Sequence, residues 1–177
     1  MPNLQFAREK LARAQHGLLK AADAIPASAW ETPPFATSWS AAQVIAHLCQ
    51  VERSVVGYAD RVTRKTPLPI PVLKRIHFPL ALVELRIIRR KTPIPLDPEL
   101  FAEKETMLAD LRTVRERTLA FLEEMHGRDL RAYYWPHPFL GMLNFYDWFT
   151  MVAAHQIRHT KQIVDLAKNL PKRVVTS

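Results

Sequence analysis

The sequence is poor in cysteine and glycine, and both absences limit the fold. Among 177 residues there is one cysteine, Cys49, and there are four glycines. A single thiol cannot close an intramolecular disulfide or supply paired zinc ligands, which excludes disulfide-stabilised and zinc-finger-like folds. Few glycines together with 48% apolar residues favour packed helices over a turn-rich β-sandwich. We therefore expect an all-α protein in a reducing compartment, with Cys49 as a buried apolar residue rather than a ligand or nucleophile.

The sequence also lacks a long apolar run. No uninterrupted apolar stretch reaches the roughly 20 residues that a membrane-spanning helix needs, and the first ten residues are charged where a signal peptide would be apolar. These absences predict a cytoplasmic protein with no membrane span. The length favours a single domain that covers residues 1–177.

Apolar residues recur at helical spacing in four long segments. The predicted helices cover about 3–24, 40–64, 98–125 and 144–168, and residues 133–138 are predicted to form a loop. Ser40 and Gln43 match a capping box at the start of the second helix. Four helices of comparable length predict a four-helix bundle, an architecture in which metal sites are built from side chains on facing helices.

A proline-rich segment, residues 66–98, forms a long crossover between the second and third predicted helices. Its prolines forbid one continuous helix, although a short helix from Leu80 to Arg90 is expected. Nine basic residues and one acidic residue lie between Arg61 and Lys91, so this stretch accounts for the whole net charge of +8. Such charge could attract an acidic thiol, a membrane surface or nucleic acid. We favour a solvated loop and expect no nucleic-acid partner, because no nucleic-acid-binding motif accompanies the charge.

Three histidines fall on predicted core seams and form a candidate metal site. His155 and His159 lie four residues apart, so their side chains project from one face of the fourth helix, and His47 lies on the seam of the second. Three neutral imidazoles leave a fourth coordination position open, as in catalytic sites. Zinc or nickel is the expected metal. Buried histidines satisfied by hydrogen bonds are the alternative, but three of them in apolar seams would be costly.

The residues around these ligands do not identify an acid or base. Gln156 lies where the metalloprotease motif His-Glu-x-x-His has its glutamate, and a neutral amide cannot accept a proton from water. The sequence therefore disfavours a peptidase, and no catalytic side chain is assigned. Arg158 is expected to point to solvent or to a neighbouring helix. His137, in the predicted loop, could approach the metal but is expected to be exposed to solvent.

Three segments resemble the DinB-like (YfiT-like) metalloenzyme superfamily. They are residues 39–48 (WSAAQVIAHL), 137–141 (HPFLG) and 155–163 (HQIRHTKQI). Their order and separation are similar to those of the family's helix-two histidine, its turn before the last long helix and its paired histidines. The likeness extends over about residues 4–168. It implies a four-helix bundle with a divalent metal on His47, His155 and His159, and often a homodimer.

The resemblance also implies a range of functions. Some relatives are transferases or isomerases that act with low-molecular-weight thiols, so we expect a metal-dependent, thiol-dependent S-transferase that acts on a small electrophile. Coordination to the metal would lower the pKa of the thiol. The alternative is a non-catalytic bundle that binds a metal or an anionic partner. Residues 66–98 do not match a family pattern closely, which leaves the substrate class open.

Overall fold

Four long helices form the framework of the molecule. The computed structural model describes residues 3–67, 69–71, 79–84, 95–97 and 100–170. The helices are Leu4–Asp23 (α1), Ala41–Thr63 (α2), Lys104–Glu124 (α3) and Phe145–Asn169 (α4). Two short 3₁₀ helices, Ala27–Ala29 and Leu80–Glu84, and two strands, Tyr134–His137 (β1) and Gly141–Asn144 (β2), complete the elements of the described residues. The predicted all-α four-helix bundle is confirmed, with a small β-hairpin added.

The helices α2 and α3 run parallel to each other. Arg53 in the middle of α2 pairs with Asp110 in the first half of α3, whereas the carbonyl of Thr63 at the end of α2 accepts from Arg128, beyond the end of α3. In contrast, α1 and α3 are antiparallel, because Arg8 pairs with Glu123 near the opposite end of α3. The parallel pair requires a long return connection, which is what the predicted crossover provides.

The core consists of two apolar clusters that divide the bundle along its length. One contains the end of α1, the starts of α2 and α3 and the end of α4, and the other contains the opposite halves together with the hairpin. Fully buried large side chains occur in both, including Leu18, Ile45, Leu111, Phe145 and Phe149. At about 25 cal/mol per Å² of buried apolar surface, this packing supplies most of the driving force for folding.

The two helices that carry the candidate ligands begin at well-defined caps. Gln43 N donates to Ser40 Oγ over 3.2 Å, and Ser40 N donates to Gln43 Oε1 over 2.9 Å, which confirms the predicted capping box. At the start of α4, Asp147 N donates to Asn144 Oδ1 over 2.9 Å. These caps satisfy backbone N–H groups that have no partner within the helix.

The third helix begins later than the sequence predicts. Instead of starting near residue 98, α3 starts at Lys104, and Glu103 before it is extended, with φ −58° and ψ 153°. Phe101, which falls within the predicted helix, lies before α3 and is exposed. Lys104 Nζ donates to the carbonyl of Ile25 over 2.7 Å. That contact anchors the start of α3 to the carbonyls that follow the end of α1.

The predicted loop 133–138 is largely a strand. Strand β1 pairs antiparallel with β2, with Tyr134 opposite Asn144 and His137 opposite Gly141. Gly141 has φ 87°, a conformation that residues other than glycine rarely adopt. The prolines at 136 and 138 favour a loop on propensity grounds, but a two-stranded hairpin consists of edge strands, where proline is tolerated.

Part of the crossover lies on the bundle. Glu84 forms an ion pair of 2.7 Å with Lys10, and its carbonyl accepts from Lys161 Nζ over 2.9 Å, so the 3₁₀ helix Leu80–Glu84 contacts both α1 and α4. The rest of the predicted helix, 85–90, lies outside the described residues, as do all six basic residues of the crossover. None of the helices in the described ranges combines the length and apolar composition needed to cross a membrane.

Replacing Ser40 with alanine should lower the free energy of unfolding by about 1 kcal/mol, because one half of the capping box is lost. Urea denaturation followed by circular dichroism measures this change. Ser54→Ala is the matched control, because Ser54 is exposed within α2 and caps nothing. Equal stability of the two variants would contradict the role of the cap.

Candidate metal centre

Three imidazole nitrogens converge between α2 and α4. His155 Nε2 lies 3.3 Å from His47 Nε2 and 3.1 Å from His159 Nε2. A ligand atom from each of the three rings lies within 4.8 Å of the others. His47 is buried at 5% exposure, and the other two are partly buried. The structure thus brings together all three residues that the sequence singled out.

Hydrogen bonding alone cannot satisfy this cluster. A neutral imidazole has one N–H donor and one nitrogen lone pair, so His155 Nε2 can offer one or the other in its ring plane. Both His47 Nε2 and His159 Nε2 approach that single atom. This one nitrogen therefore cannot make a well-directed hydrogen bond to both neighbours. A cation at the common focus would accept a lone pair from each ring.

Two of the three separations between the nitrogens match those of ligands on one ion. Tetrahedral ligands at about 2.05 Å from a metal are about 3.3 to 3.4 Å apart, and adjacent octahedral ligands are about 3.0 Å apart. The observed separations of 3.1 and 3.3 Å fall in this range. The donor set therefore fits a divalent metal without distinguishing zinc from nickel. Among the described residues, no carboxylate or thiol belongs to the group.

Side chains that contact the three histidines orient their rings. His159 Nδ1 lies 2.8 Å from Gln162 Oε1, and because an amide oxygen only accepts, Nδ1 carries the proton and Nε2 keeps its lone pair. The Trp39 ring stacks on His159 at 6.4 Å and meets His47 edge-on at 5.2 Å, so it forms one wall of the site. His47 Nδ1 is buried without a hydrogen-bond partner in the described structure.

Burial keeps His47 and His155 neutral. Desolvation lowers the pKa of His47 from 6.5 to about 4. The pKa of His155 falls well below 6.5, mainly through burial and further through the charges of His159, His47, Arg158 and His137. Neutral imidazole is the form that binds a metal, so the site needs little deprotonation at pH 7.

The residue between the paired ligands faces the core. Gln156 is 2% exposed, and its Oε1 accepts from Arg115 Nη2 over 2.6 Å. Cys49 is buried as predicted, and desolvation raises the pKa of its thiol to about 12, so it is a poor nucleophile. Arg158 is partly buried rather than fully exposed, and its charge acts on His155.

His137 differs from its sequence-based expectation of an exposed loop residue. Its ring is partly buried and lies 5.1 Å from the ring of Trp148. His137 Nδ1 accepts from Phe139 N over 3.1 Å, and burial lowers its pKa to about 4. Trp39, Gln162 and Arg115 are not among the metal-site residues that the sequence predicts. Only two of them carry a local sequence signal. Trp39 directly precedes the α2 cap, and Gln162 follows His159 by three residues.

Comparisons with known proteins identify the superfamily and support the fold. The sequence profile of the DinB superfamily matches residues 10–163. The chain belongs to the DinB superfamily. A similar solved structure is YfiT from Bacillus subtilis, described as a probable metal-dependent hydrolase with an unusual four-helix bundle topology. This DinB-superfamily chain is 16% identical to it, with a TM-score of 0.64 over 93% of this chain and 86% of that one. A search of curated proteins found no match.

Acidification should destabilise the metal-free protein. The pKa of His47 is about 4 in the folded state against 6.5 when unfolded, so the unfolded chain binds the extra proton between these values. The contribution of neutral His47 to the free energy of unfolding is fully present above pH 6.5. It is lost as the pH falls to 4, and the loss amounts to up to about 3 kcal/mol. Denaturation in the presence of a chelator, repeated across this pH range, measures the loss. His47→Gln should reduce the slope of the free energy of unfolding against pH, and the exposed control His16→Gln should not. An unchanged slope in His47→Gln would contradict the lowered pKa of His47.

Proposed function

We propose that this DinB-superfamily protein is a metal-dependent enzyme in which His47, His155 and His159 hold one zinc or nickel ion. The observation that carries the proposal is the approach of two imidazole nitrogens to the single Nε2 of His155. A shared cation would accept a lone pair from each ring, whereas one nitrogen cannot make a well-directed hydrogen bond to both neighbours. Three protein ligands leave a position for a substrate, which is the pattern of catalytic rather than structural sites.

We further propose that the reaction is transfer of a small thiol to an electrophile. A divalent ion held there would supply Lewis-acid chemistry that lowers the pKa of a bound thiol or water. A thiol, with a pKa near 8.5, needs a much smaller pKa shift than water to ionise at pH 7. Activation of a thiol therefore depends less on a protein side chain that accepts a proton. Its proton passes to solvent, and its sulfur forms a bond to the electrophilic carbon as the leaving group departs.

The chain's own side chains are consistent with this choice. Gln156, the position of the base in the metalloprotease motif, is directed at Arg115 and cannot accept a proton. Gln162 fixes the ring of His159, and Trp39 covers one side of the cluster. These residues orient the ligands and limit access of water. None of them supplies a carboxylate to activate water.

Hydrolysis is the second candidate, because the similar structure YfiT is described as a probable metal-dependent hydrolase. A third possibility is a non-catalytic bundle that binds a metal or an anionic partner through the basic crossover. A small-molecule substrate, a cytoplasmic location and a homodimer belong to the leading proposal. The sequence resemblance supports the homodimer, which light scattering of the purified protein tests.

Purified protein should contain about one divalent ion per chain, and His155→Ala should lose it. Elemental analysis after gel filtration gives the stoichiometry. His126→Ala is the matched control, because His126 is exposed and lies outside the cluster. Protein that carries no metal after incubation with zinc or nickel, or equal metal content in both variants, would contradict the site.

The reaction class is tested by supplying the metal-loaded protein with a chromogenic aryl halide and a panel of small thiols, and separately with an activated ester. S-transfer predicts thiol-dependent turnover that chelation abolishes and that falls at least 100-fold in His155→Ala. Ester hydrolysis without thiol would favour the second candidate. If neither reaction proceeds although one metal ion is bound, the non-catalytic alternative gains support.

A further inference from the structure

A single buried guanidinium connects all four helices of the bundle. Arg115 on α3 is 2% exposed. Its Nε donates to Glu52 Oε1 over 2.7 Å and its Nη2 donates to Glu52 Oε2 over 2.8 Å, which makes a two-pronged ion pair with α2. The remaining donors reach the carbonyl of Leu11 on α1 and the side chain of Gln156 on α4. We refer to Glu52, Arg115 and Gln156 as the arginine network.

Two members of the network lie close in sequence to the candidate ligands. Gln156 directly follows His155, and Glu52 lies five residues beyond His47 on α2. The network therefore joins the same two helices that the histidines join. It does so from the core side of the bundle rather than from the metal side.

The amide of Gln156 fixes the rotation of α4 about its axis. Successive residues of an α-helix are turned by about 100°, so a side chain held in the core determines where its neighbours point. With Gln156 directed at Arg115, His155 lies about 100° away and His159 about 40° from His155. Arginine only donates, so Gln156 Oε1 must face it. Gln156 Nε2 has no partner among the described residues, which leaves Arg115 as the contact that orients this amide.

Stability alone does not explain this arrangement. Desolvation of two buried charges offsets most of their attraction, and apolar replacements of similar volume are often equally stable or more stable. Buried polar groups can instead specify one arrangement of helices over others. Sliding or rotating α4 would cost the hydrogen bond between Gln156 and Arg115, whereas an apolar contact tolerates such shifts.

We propose that the arginine network positions the metal centre by holding α4 at the rotation and height that bring His155 and His159 opposite His47. Arg115 and Gln156 are positioning residues, not catalytic ones, and the inference rests on the proposed metal site. The network also bears on the glutamate base of the metalloprotease motif, which Gln156 replaces. A carboxylate placed at position 156 would pair with Arg115 rather than face the histidines, so Gln156→Glu would not restore metalloprotease chemistry.

The test compares metal affinity with folding in network variants. Gln156→Met keeps the volume and removes only the contact with Arg115, whereas the triple change Glu52→Leu, Arg115→Met and Gln156→Leu makes the network apolar. Titration with Co²⁺ gives the Kd and the visible absorption of the bound ion, and circular dichroism with thermal unfolding gives the fold. Gln156→Glu, which keeps a partner for Arg115, is the conservative control.

We expect Gln156→Met and the triple variant to remain folded but to bind Co²⁺ about 10- to 100-fold more weakly, with an altered visible spectrum. Gln156→Glu should stay within about threefold of the parent and gain no ester or peptide hydrolysis. A folded Gln156→Met protein with the parent's Kd and spectrum would overturn the positioning role, as would hydrolysis gained by Gln156→Glu. If the parent binds no Co²⁺, or if His155→Ala binds it equally, the metal site itself fails and the inference fails with it.

Discussion

The convergence of three imidazoles between α2 and α4 determines how these two helices are placed relative to each other. Buried polar groups lower stability unless they are satisfied, and here one ring nitrogen faces two others. Such a cluster persists only if α2 and α4 keep a fixed register. The caps that define the starts of both helices and the guanidinium of Arg115 that joins them on the core side serve that requirement.

The connectivity of the bundle follows from the same arrangement. Because α2 and α3 are parallel, the chain that leaves Thr63 must return along the bundle before Lys104. A helix the length of α2 is about 35 Å long, which a short turn cannot span. The crossover therefore serves the topology, and its contact with Lys10 and Lys161 shows that at least Leu80–Glu84 packs against the helices. The six basic residues of the crossover lie outside the described ranges.

Much of the fold was predictable from local sequence signals. The apolar spacing predicted α1, α2 and α4 to within about two residues at each end, and Ser40 with Gln43 predicted the capping box. The histidines stood out because a polar ring on an apolar seam breaks the pattern. The hairpin was missed because pairing of Tyr134 with Asn144 depends on contacts between strands, whereas prolines at 136 and 138 favour a loop. The late start of α3 was missed because its anchor, Lys104, binds carbonyls 79 and 81 residues away in sequence.

The arginine network was also beyond sequence reasoning. Glu52 and Arg115 are 63 residues apart, and neither falls at a position where a charge marks an element boundary. In the sequence, Gln156 was notable only because the metalloprotease motif has a glutamate at this position. The structure directs its side chain to Arg115 in the core, which explains why a base is not needed there. The centre thus combines a well-formed nitrogen donor set with no nearby base from this motif, which favours a substrate that ionises easily.

X-ray absorption spectroscopy of the zinc- or nickel-loaded protein shows whether all three histidines bind the ion. We expect three imidazole nitrogens at about 2.0 to 2.1 Å, with the outer-shell scattering of histidine rings, and at least one further light-atom ligand that a small thiol replaces with sulfur at about 2.3 Å. A spectrum with fewer than three imidazoles, or one that His47→Ala leaves unchanged, would contradict the three-histidine site.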